Sequence, residues 1–171
     1  MRYFNIYFDE VENLGTGRSR SEDLLFLPDR GVVRDWVPPR LDLVDGEFPD
    51  YLASDLGCRL CSDRMRQVLA SAASPADVLQ WLPVEVSRGG DSRRYWLLHF
   101  PEPVEALGPR TVQQGDFVVK PVLSVAAMGG HAVFTYPGGE GVALVVDEHV
   151  KDALTQAGCT GFECTAAALE P

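Results

Sequence analysis

The segment LVVDEHVKDALTQAGCTGFEC, residues 144 to 164, contains the clearest secondary-structure signals in the chain. A β-branched run comes first, and Asp147 then occupies the position of an N-cap, where a carboxylate accepts hydrogen bonds from the first helical turn. Gly158 follows as the residue type that commonly ends a helix. The apolar residues at helical spacing between them are Val150, Ala153, Leu154 and Ala157. The segment therefore predicts a strand, a capped helix and a second strand from Phe162 to about Ala166.

The segment LCSDRMRQVL, residues 60 to 69, shows the same order of signals. Ser62 is its N-cap, and the strand LPVEV follows its helix as GFECT follows the other. The apolar stripe of this helix consists of Met65, Val68, Leu69 and Ala72. We therefore predict one strand–helix–strand unit used twice, over residues 57–87 and 142–167. Either a duplication or convergence on a common motif would produce this match.

Aromatic and β-branched runs predict further strands around these units. The predicted strands are 2–8, 82–86, 95–100, 117–119, 122–125, 131–136 and 142–146. Residues 12–23 are polar and glycine-containing and predict a loop, and Pro75 predicts a short helix after Ser74. The pattern predicts an α+β fold with a mixed, mainly antiparallel sheet and two principal helices, in a single domain over residues 1–171.

The composition is that of an ordinary globular chain, with 171 residues and 46% apolar residues. A chain of this length can bury a core without help from a metal or a disulfide. Its first residues lack the apolar stretch of a signal peptide, and it has no apolar run of ~18 residues to span a membrane. We expect a cytoplasmic protein whose four cysteines are reduced.

The net charge is −10, from 25 acidic and 15 basic residues. This balance argues against nucleic acid or an anionic membrane as a partner, because both require clustered Lys and Arg. A basic protein would be attracted by the same field. The charge is also consistent with a role in solubility alone.

The acidity is concentrated in residues 42 to 55, a stretch with five acids and no base. Its Asp-Gly and Pro-Asp dipeptides indicate turns, so we expect the carboxylates to be exposed. Trp36 lies just before the stretch, and tryptophan is a common anchor in protein interfaces. The predicted partner-binding residues are Asp42, Asp45, Glu47, Asp50, Asp55 and Trp36.

The four cysteines admit two interpretations. Cys58 and Cys61 have the spacing of a zinc half-site or a redox pair, and Cys159 and Cys164 could complete a zinc site. All four thiols could instead pack in the core. No metal-ligand spacing involves the histidines, which are His99, His131 and His149. We predict neither a metal nor a cofactor, and retain a small thiol or zinc protein as the alternative.

No catalytic motif is present. The chain lacks GxSxG, GxGxxG and Walker A patterns, and the glycine-rich residues 138–141 precede a predicted strand instead of a helix. This favours binding over catalysis and predicts that the protein is not an enzyme. An enzyme whose site is assembled from distant residues is the third hypothesis.

The two capped-helix segments, the strand LPVEV and the aromatic opening MRYFNIYFD resemble the immunity protein eleven family of bacterial polymorphic-toxin systems. The markers of this resemblance are residues 62–64, 82–86 and 145–162. It implies a bacterial cytoplasmic antitoxin that binds and neutralises a cognate toxin by a stoichiometric protein–protein interaction. Together with the acidity, it predicts a toxin with a basic surface.

Overall fold

A computed structural model of the chain describes residues 1–9, 11, 13–22, 25–139 and 141–171. The first seven strands are β1 (Tyr3–Phe8), β2 (Thr16–Ser19), β3 (Arg40–Val44), β4 (Tyr51–Leu52), β5 (Leu60–Ser62), β6 (Gln80–Arg88) and β7 (Asp91–His99). The next seven are β8 (Val112–Gln114), β9 (Phe117–Lys120), β10 (Val122–Ser124), β11 (Val133–Phe134), β12 (Val145–Asp147), β13 (Phe162–Ala166) and β14 (Ala168–Glu170). The helices are α1 (Asp63–Ala72) and α2 (Glu148–Gln156).

The strands form two main sheets. The larger sheet has the order β2-β3-β6-β7-β5-β4 and is mixed, because β3 and β6 are parallel. The smaller sheet has the order β11-β12-β1-β13 and is antiparallel. A parallel pair β10-β14 and the hairpin β8-β9 complete the described strands. The predicted α+β class, with two helices and mainly antiparallel strands, is confirmed.

Each sheet contains one strand–helix–strand unit with the same topology. Strands β5 and β6 flank β7, and both run antiparallel to it, so the strands before and after α1 are parallel and separated by one strand. Strands β12 and β13 flank β1 in the same way, with α2 between them in sequence. The two predicted units therefore have matching topology. Their origin by duplication stays a prediction.

Both helices begin at the predicted caps. The Ser62 hydroxyl accepts a hydrogen bond from the Met65 N–H, and the Asp147 carboxylate accepts one from the Val150 N–H. Gly158 has a φ of +67°, the left-handed conformation in which glycine ends a helix. These contacts confirm the start of both helices and the end of the second.

One core cluster joins both units. Met65 and Leu69 of α1 and Val150 and Leu154 of α2 are fully buried in it, beside residues from both main sheets. Burial of each such side chain contributes roughly 1.5–3 kcal/mol to folding. A second cluster lies on the larger sheet around Leu41, and a third packs behind the smaller sheet. The apolar stripes predicted from the sequence therefore hold the two halves together.

Two predicted elements differ from the structure, and strands β3, β4, β8 and β14 were not predicted. Residues 12–23 contain strand β2, so the loop prediction is wrong for residues 16–19. No helix follows Ser74; a turn closes there instead, and the Asp77 carboxylate accepts the Ser74 N–H at 2.7 Å. Strand β8 was not predicted because its VQQ sequence has little apolar character. Of the glycine-rich residues 138–141, residue 140 lies outside the described part of the chain.

No helix in the described part of the chain is long and apolar enough to cross a membrane.

Candidate functional site

The acidic stretch folds around strand β2. Asp42 lies on β3, opposite Arg18 of β2, and the Asp55 carboxylate accepts the Ser19 N–H at 2.9 Å on the other side of that strand. Asp45 and Glu47 lie in the turn that follows β3 and are exposed. Asp45 has a φ of +61°, a left-handed conformation that Asp tolerates better than most residues. The structure thus brings four of the predicted carboxylates to one edge of the larger sheet.

Asp50 does not belong to this surface. Its residue exposure is 4%, so the prediction that all five carboxylates are exposed is wrong for Asp50. Its carboxylate accepts hydrogen bonds from the Ser62 hydroxyl at 2.5 Å, from Arg64 at 2.8 and 3.1 Å, and from the Thr160 N–H at 2.9 Å. These donors come from both strand–helix–strand units. Asp50 is therefore a structural link between the two halves.

The charge of the remaining carboxylates is partly compensated by arginines from other strands. Arg20 pairs with Asp42 at 2.7 Å, and the hydrogen bonds from its guanidinium lower the pKa of that carboxyl. Arg88 pairs with Glu47 at 3.2 Å. Among the described residues, no cation forms an ion pair with Asp45 or Asp55. Fewer carboxylates of the stretch are therefore without an ion-pair partner than its sequence indicates.

Trp36 is half-buried and lies at the opposite end of β3 from Asp45 and Glu47. Its indole N–H donates to the Pro83 carbonyl at 2.8 Å, and its ring packs on the core cluster of the larger sheet. It precedes β3, whereas Asp45 and Glu47 follow that strand. The structure does not bring Trp36 together with the acidic turn, and its role in partner binding stays a prediction.

The cysteines do not converge on a site. Cys58 and Cys61 are both buried but belong to different core clusters. Burial raises the pKa of Cys58 to about 12 and that of Cys159 to about 11, and it also raises the pKa values of Cys61 and Cys164. These thiols are thus protonated at neutral pH and are poor nucleophiles. Within the described ranges, no group of three or more His, Cys, Asp or Glu side chains could hold a metal ion.

The histidines have structural contacts or lie at the surface. His99 is buried, and its Nε2 lies 2.8 Å from the Gly31 carbonyl oxygen. His131 lies 2.9 Å from the Asp77 carboxylate, which also accepts N–H groups of the following two residues. His149 is exposed in the first turn of α2. His99 is thus a hydrogen-bonded core residue, and His149 is a surface residue.

The structure also contains an exposed apolar surface that sequence reasoning missed. We call it the hairpin surface and define it by four side chains. These are Tyr7, Phe117, Val119 and Val142, with exposures of 47%, 56%, 61% and 39%. They line the mouth of a cavity of about 360 Å³ between β1, β9 and the loop before β12. The aromatic and β-branched run at residues 117–119 predicted only a strand, because the sequence does not show which strand face remains uncovered.

Together, the fold and these surfaces define a class: a small α+β protein with acidic and apolar exposed patches and with protonated thiols that are buried or half-buried. The model of the Immunity protein family (Imm11) matches residues 24–168, so the chain belongs to this family, as the resemblance indicated. No curated protein matches the chain significantly.

Proposed function

We propose that this chain is the immunity protein of a bacterial polymorphic-toxin system, which binds a cognate toxin in the cytoplasm and neutralises it. The family match over residues 24–168 is the observation that carries this proposal. The mode of action is a stoichiometric complex that covers the active or target-binding surface of the toxin.

We use the name acidic edge for the four carboxylates at the edge of the larger sheet, which are Asp42, Asp45, Glu47 and Asp55. The acidic edge is the proposed first contact with a basic toxin surface. Asp45 and Asp55 are exposed and lack an ion-pair partner among the described residues, so their charges are available to a partner. Asp42 and Glu47 lie beside them, and Arg20 and Arg88 would have to share these carboxylates with the toxin. Complementary charge of this kind mainly raises the association rate and suppresses wrong partners. Asp50 is excluded from the proposed contact because both of its carboxylate oxygens already accept hydrogen bonds within the protein.

The thiol or zinc alternative has no support in this geometry. Its cysteines lie in separate clusters, and their raised pKa values oppose the thiolate form that both chemistries require. The third hypothesis, a composite catalytic site, also lacks a specific observation in its favour.

Co-expression tests the proposal directly. The proposal predicts that a toxin-like protein is encoded beside the gene for this chain, and the C-terminal domain of that protein is the probe. We expect the domain alone to arrest growth, the chain to restore growth, and the two proteins to co-elute after purification. A toxic domain that is neither bound nor neutralised by this chain would contradict the proposed function.

Paired substitutions test the acidic edge. We expect Asp45→Asn with Asp55→Asn to weaken toxin binding about tenfold at low salt and to reduce its salt dependence. Asparagine is suitable because it tolerates the left-handed conformation at position 45 and can still accept the Ser19 N–H at position 55.

The control pair is Asp35→Asn with Glu102→Gln, which removes the same charge from two exposed residues outside the acidic stretch. If both pairs weaken binding equally, only the net charge matters and the acidic edge is not the contact site. If neither pair changes affinity or salt dependence, the electrostatic part of the proposal is wrong.

A further inference from the structure

We propose that the hairpin surface is the apolar anchor site of the toxin interface, and that it receives an apolar toxin side chain surrounded by basic residues. This inference rests on the proposed function and assigns a second surface to it.

The first argument is the exposure of large apolar side chains around a cavity. Phe117 and Val119 are more than half exposed, and Tyr7 and Val142 lie across the cavity from them. The cavity floor consists of Ile6, Tyr136, Ala143 and Leu144. A contiguous exposed apolar patch of this kind in a monomer typically marks a binding site. Its volume of about 360 Å³ lies within the range of cavities that accept a ligand or a large side chain.

The second argument concerns the hairpin itself. Strands β8 and β9 pair with each other and with no other described strand. A lone two-stranded hairpin is at best marginally stable in water. The solvent-facing side chains of a hairpin without a partner would normally be polar, yet Phe117 and Val119 on one face of this hairpin are both exposed. A partner that covers this face would explain its composition.

The third argument selects the partner by charge. Asp9, Asp116 and Glu163 surround the hairpin surface: Asp9 follows β1, Asp116 precedes Phe117, and Glu163 lies opposite Tyr7 on β13. None of the three forms an ion pair with a described residue, and Lys120 at the end of β9 is the cation in the hairpin. A second copy of this chain would bring two acidic rims together in a protein with a net charge of −10. A basic partner that presents an apolar side chain has the complementary charge.

The fourth argument is the proximity of this surface to the acidic edge. The Asp9 N–H donates to the Gly161 carbonyl at 3.0 Å, and Gly161 packs against Pro49, two residues after Glu47. Asp9, beside the hairpin surface, is therefore linked to the segment after the acidic turn through the buried residues Gly161 and Pro49. A standard interface of about 800 Å² per partner could include both.

The test replaces exposed apolar side chains by serine and measures affinity for the same toxin domain by calorimetry. We expect Phe117→Ser with Val119→Ser to weaken binding about thirtyfold or more, because buried aromatic anchors dominate interface energies. The matched control is Phe26→Ser with Val37→Ser, whose side chains are 84% and 82% exposed elsewhere on the chain. We expect the control pair to change affinity less than threefold.

Four outcomes are distinguishable. We call the variant with Phe117→Ser and Val119→Ser the hairpin pair. Loss of toxin affinity in the hairpin pair, with affinity retained in the control pair, supports the inference. Unchanged affinity in the hairpin pair, or equal loss in both pairs, overturns it and leaves the proposed function intact. If the wild-type chain sediments as a dimer and the hairpin pair sediments as a monomer, the inference is overturned, because a second copy of the chain then covers the hairpin surface. A toxin domain that does not bind the wild-type chain overturns the proposed function and this inference together.

Discussion

At the scale of single residues, two buried charged side chains connect the halves of the molecule. Asp50 links Ser62 and Arg64 of the first unit to Thr160 of the second. Arg59 is also buried, and its guanidinium donates to carbonyl oxygens or hydroxyls on both halves while lying 4.9 Å from the centre of the Phe100 ring. Buried charges are costly unless hydrogen-bonded, so these contacts favour one relative placement of the two units.

The bonding partners of Arg59 are the Ala143 carbonyl at 2.8 Å, the Leu98 carbonyl at 3.4 Å and the Thr135 hydroxyl at 3.0 Å. Burial lowers the pKa of Arg59 to about 10, so the side chain is still charged at neutral pH. No carboxylate pairs with Arg59 in the described part of the chain. Sequence reasoning did not single out Arg59, because its acceptors are backbone and hydroxyl oxygens up to 84 residues away.

Asp50 should make folding stability depend on pH. Burial alone would raise the pKa of its carboxyl, but hydrogen bonds from Arg64, Ser62 and Thr160 outweigh burial and lower it. A carboxyl with a lowered pKa stabilises the fold above its unfolded pKa of about 3.9, and this contribution is lost as the pH falls through the folded pKa. We expect Asp50→Asn to reduce the free energy of unfolding by roughly 3 kcal/mol at pH 7.

Urea unfolding at several pH values measures this effect. The stability difference between wild type and Asp50→Asn should stay constant above about pH 5 and shrink below about pH 4. Asp45→Asn is the control, because Asp45 is exposed and has no ion-pair partner in the described ranges. A difference that did not change with pH would show that the charge of Asp50 is not what stabilises the link.

At the scale of elements, the two strand–helix–strand units match beyond their caps. Ser62 lies opposite Tyr95 on β7, and Asp147 lies opposite Tyr3 on β1. The Tyr95 hydroxyl donates to the Pro49 carbonyl, and the Tyr3 hydroxyl donates to the His131 carbonyl. The same tyrosine position therefore anchors the central strand of each unit to a neighbouring loop.

The residue after each of these tyrosines is aromatic, and in both units its ring lies close to a cation of the helix. Trp96 follows Tyr95, and the Arg66 guanidinium of α1 lies 4.5 Å from the centre of its ring. Phe4 follows Tyr3, and the Lys151 ammonium of α2 lies 4.9 Å from its ring. Arg66 and Lys151 occupy equivalent positions after their caps. Trp96 is consequently half-buried beneath a cation.

The elements that the sequence predicted were those specified by local signals. Caps, helical periodicity and aromatic or β-branched runs act over a few residues, and both helices and strands β6 and β7 were located from them. Strand β2 was missed because its sequence, TGRS, has neither β-branched runs nor apolar alternation. Its identity depends on tertiary packing, since Gly17 lies where a side chain would collide with Leu41.

Gly17 offers a test of that explanation. A Cβ at this position would lie 2.8 Å from the Leu41 Cδ2, so Gly17→Ala should reduce the free energy of unfolding by about 1–3 kcal/mol. Gly90→Ala is the matched control, because a Cβ there meets no atom within 4 Å and its backbone φ is not in the left-handed region. The stabilities of the two variants are compared by thermal unfolding. Equal stability of the two would show that the close approach of β2 to β3 does not require glycine.

At the scale of the whole molecule, the sequence predicted the fold class and the family better than the site. The five-acid stretch contains no base, but folding brings Arg20, Arg64 and Arg88 to three of its carboxylates. These pairs are separated by 22, 14 and 41 residues, so no local pattern could reveal them. The hairpin surface was equally inaccessible, because exposure depends on what the rest of the chain leaves uncovered.

The net charge of −10 and the exposed patches favour a function that depends on occupation of a partner's surface. An immunity protein of this kind must be present in at least equimolar amount, whereas an enzyme that inactivates a toxin would act at a small fraction of that amount. The ratio of chain to neutralised toxin therefore separates the two mechanisms.

The most direct test adds purified chain in steps to a fixed amount of the toxin domain encoded beside its gene. Free toxin is measured by size-exclusion chromatography, and the mass of the toxin by mass spectrometry. We predict that free toxin decreases linearly to zero at a fixed stoichiometric ratio, with the toxin mass unchanged. Complete inactivation by a small fraction of an equivalent, with a modified or cleaved toxin, would contradict binding as the mechanism.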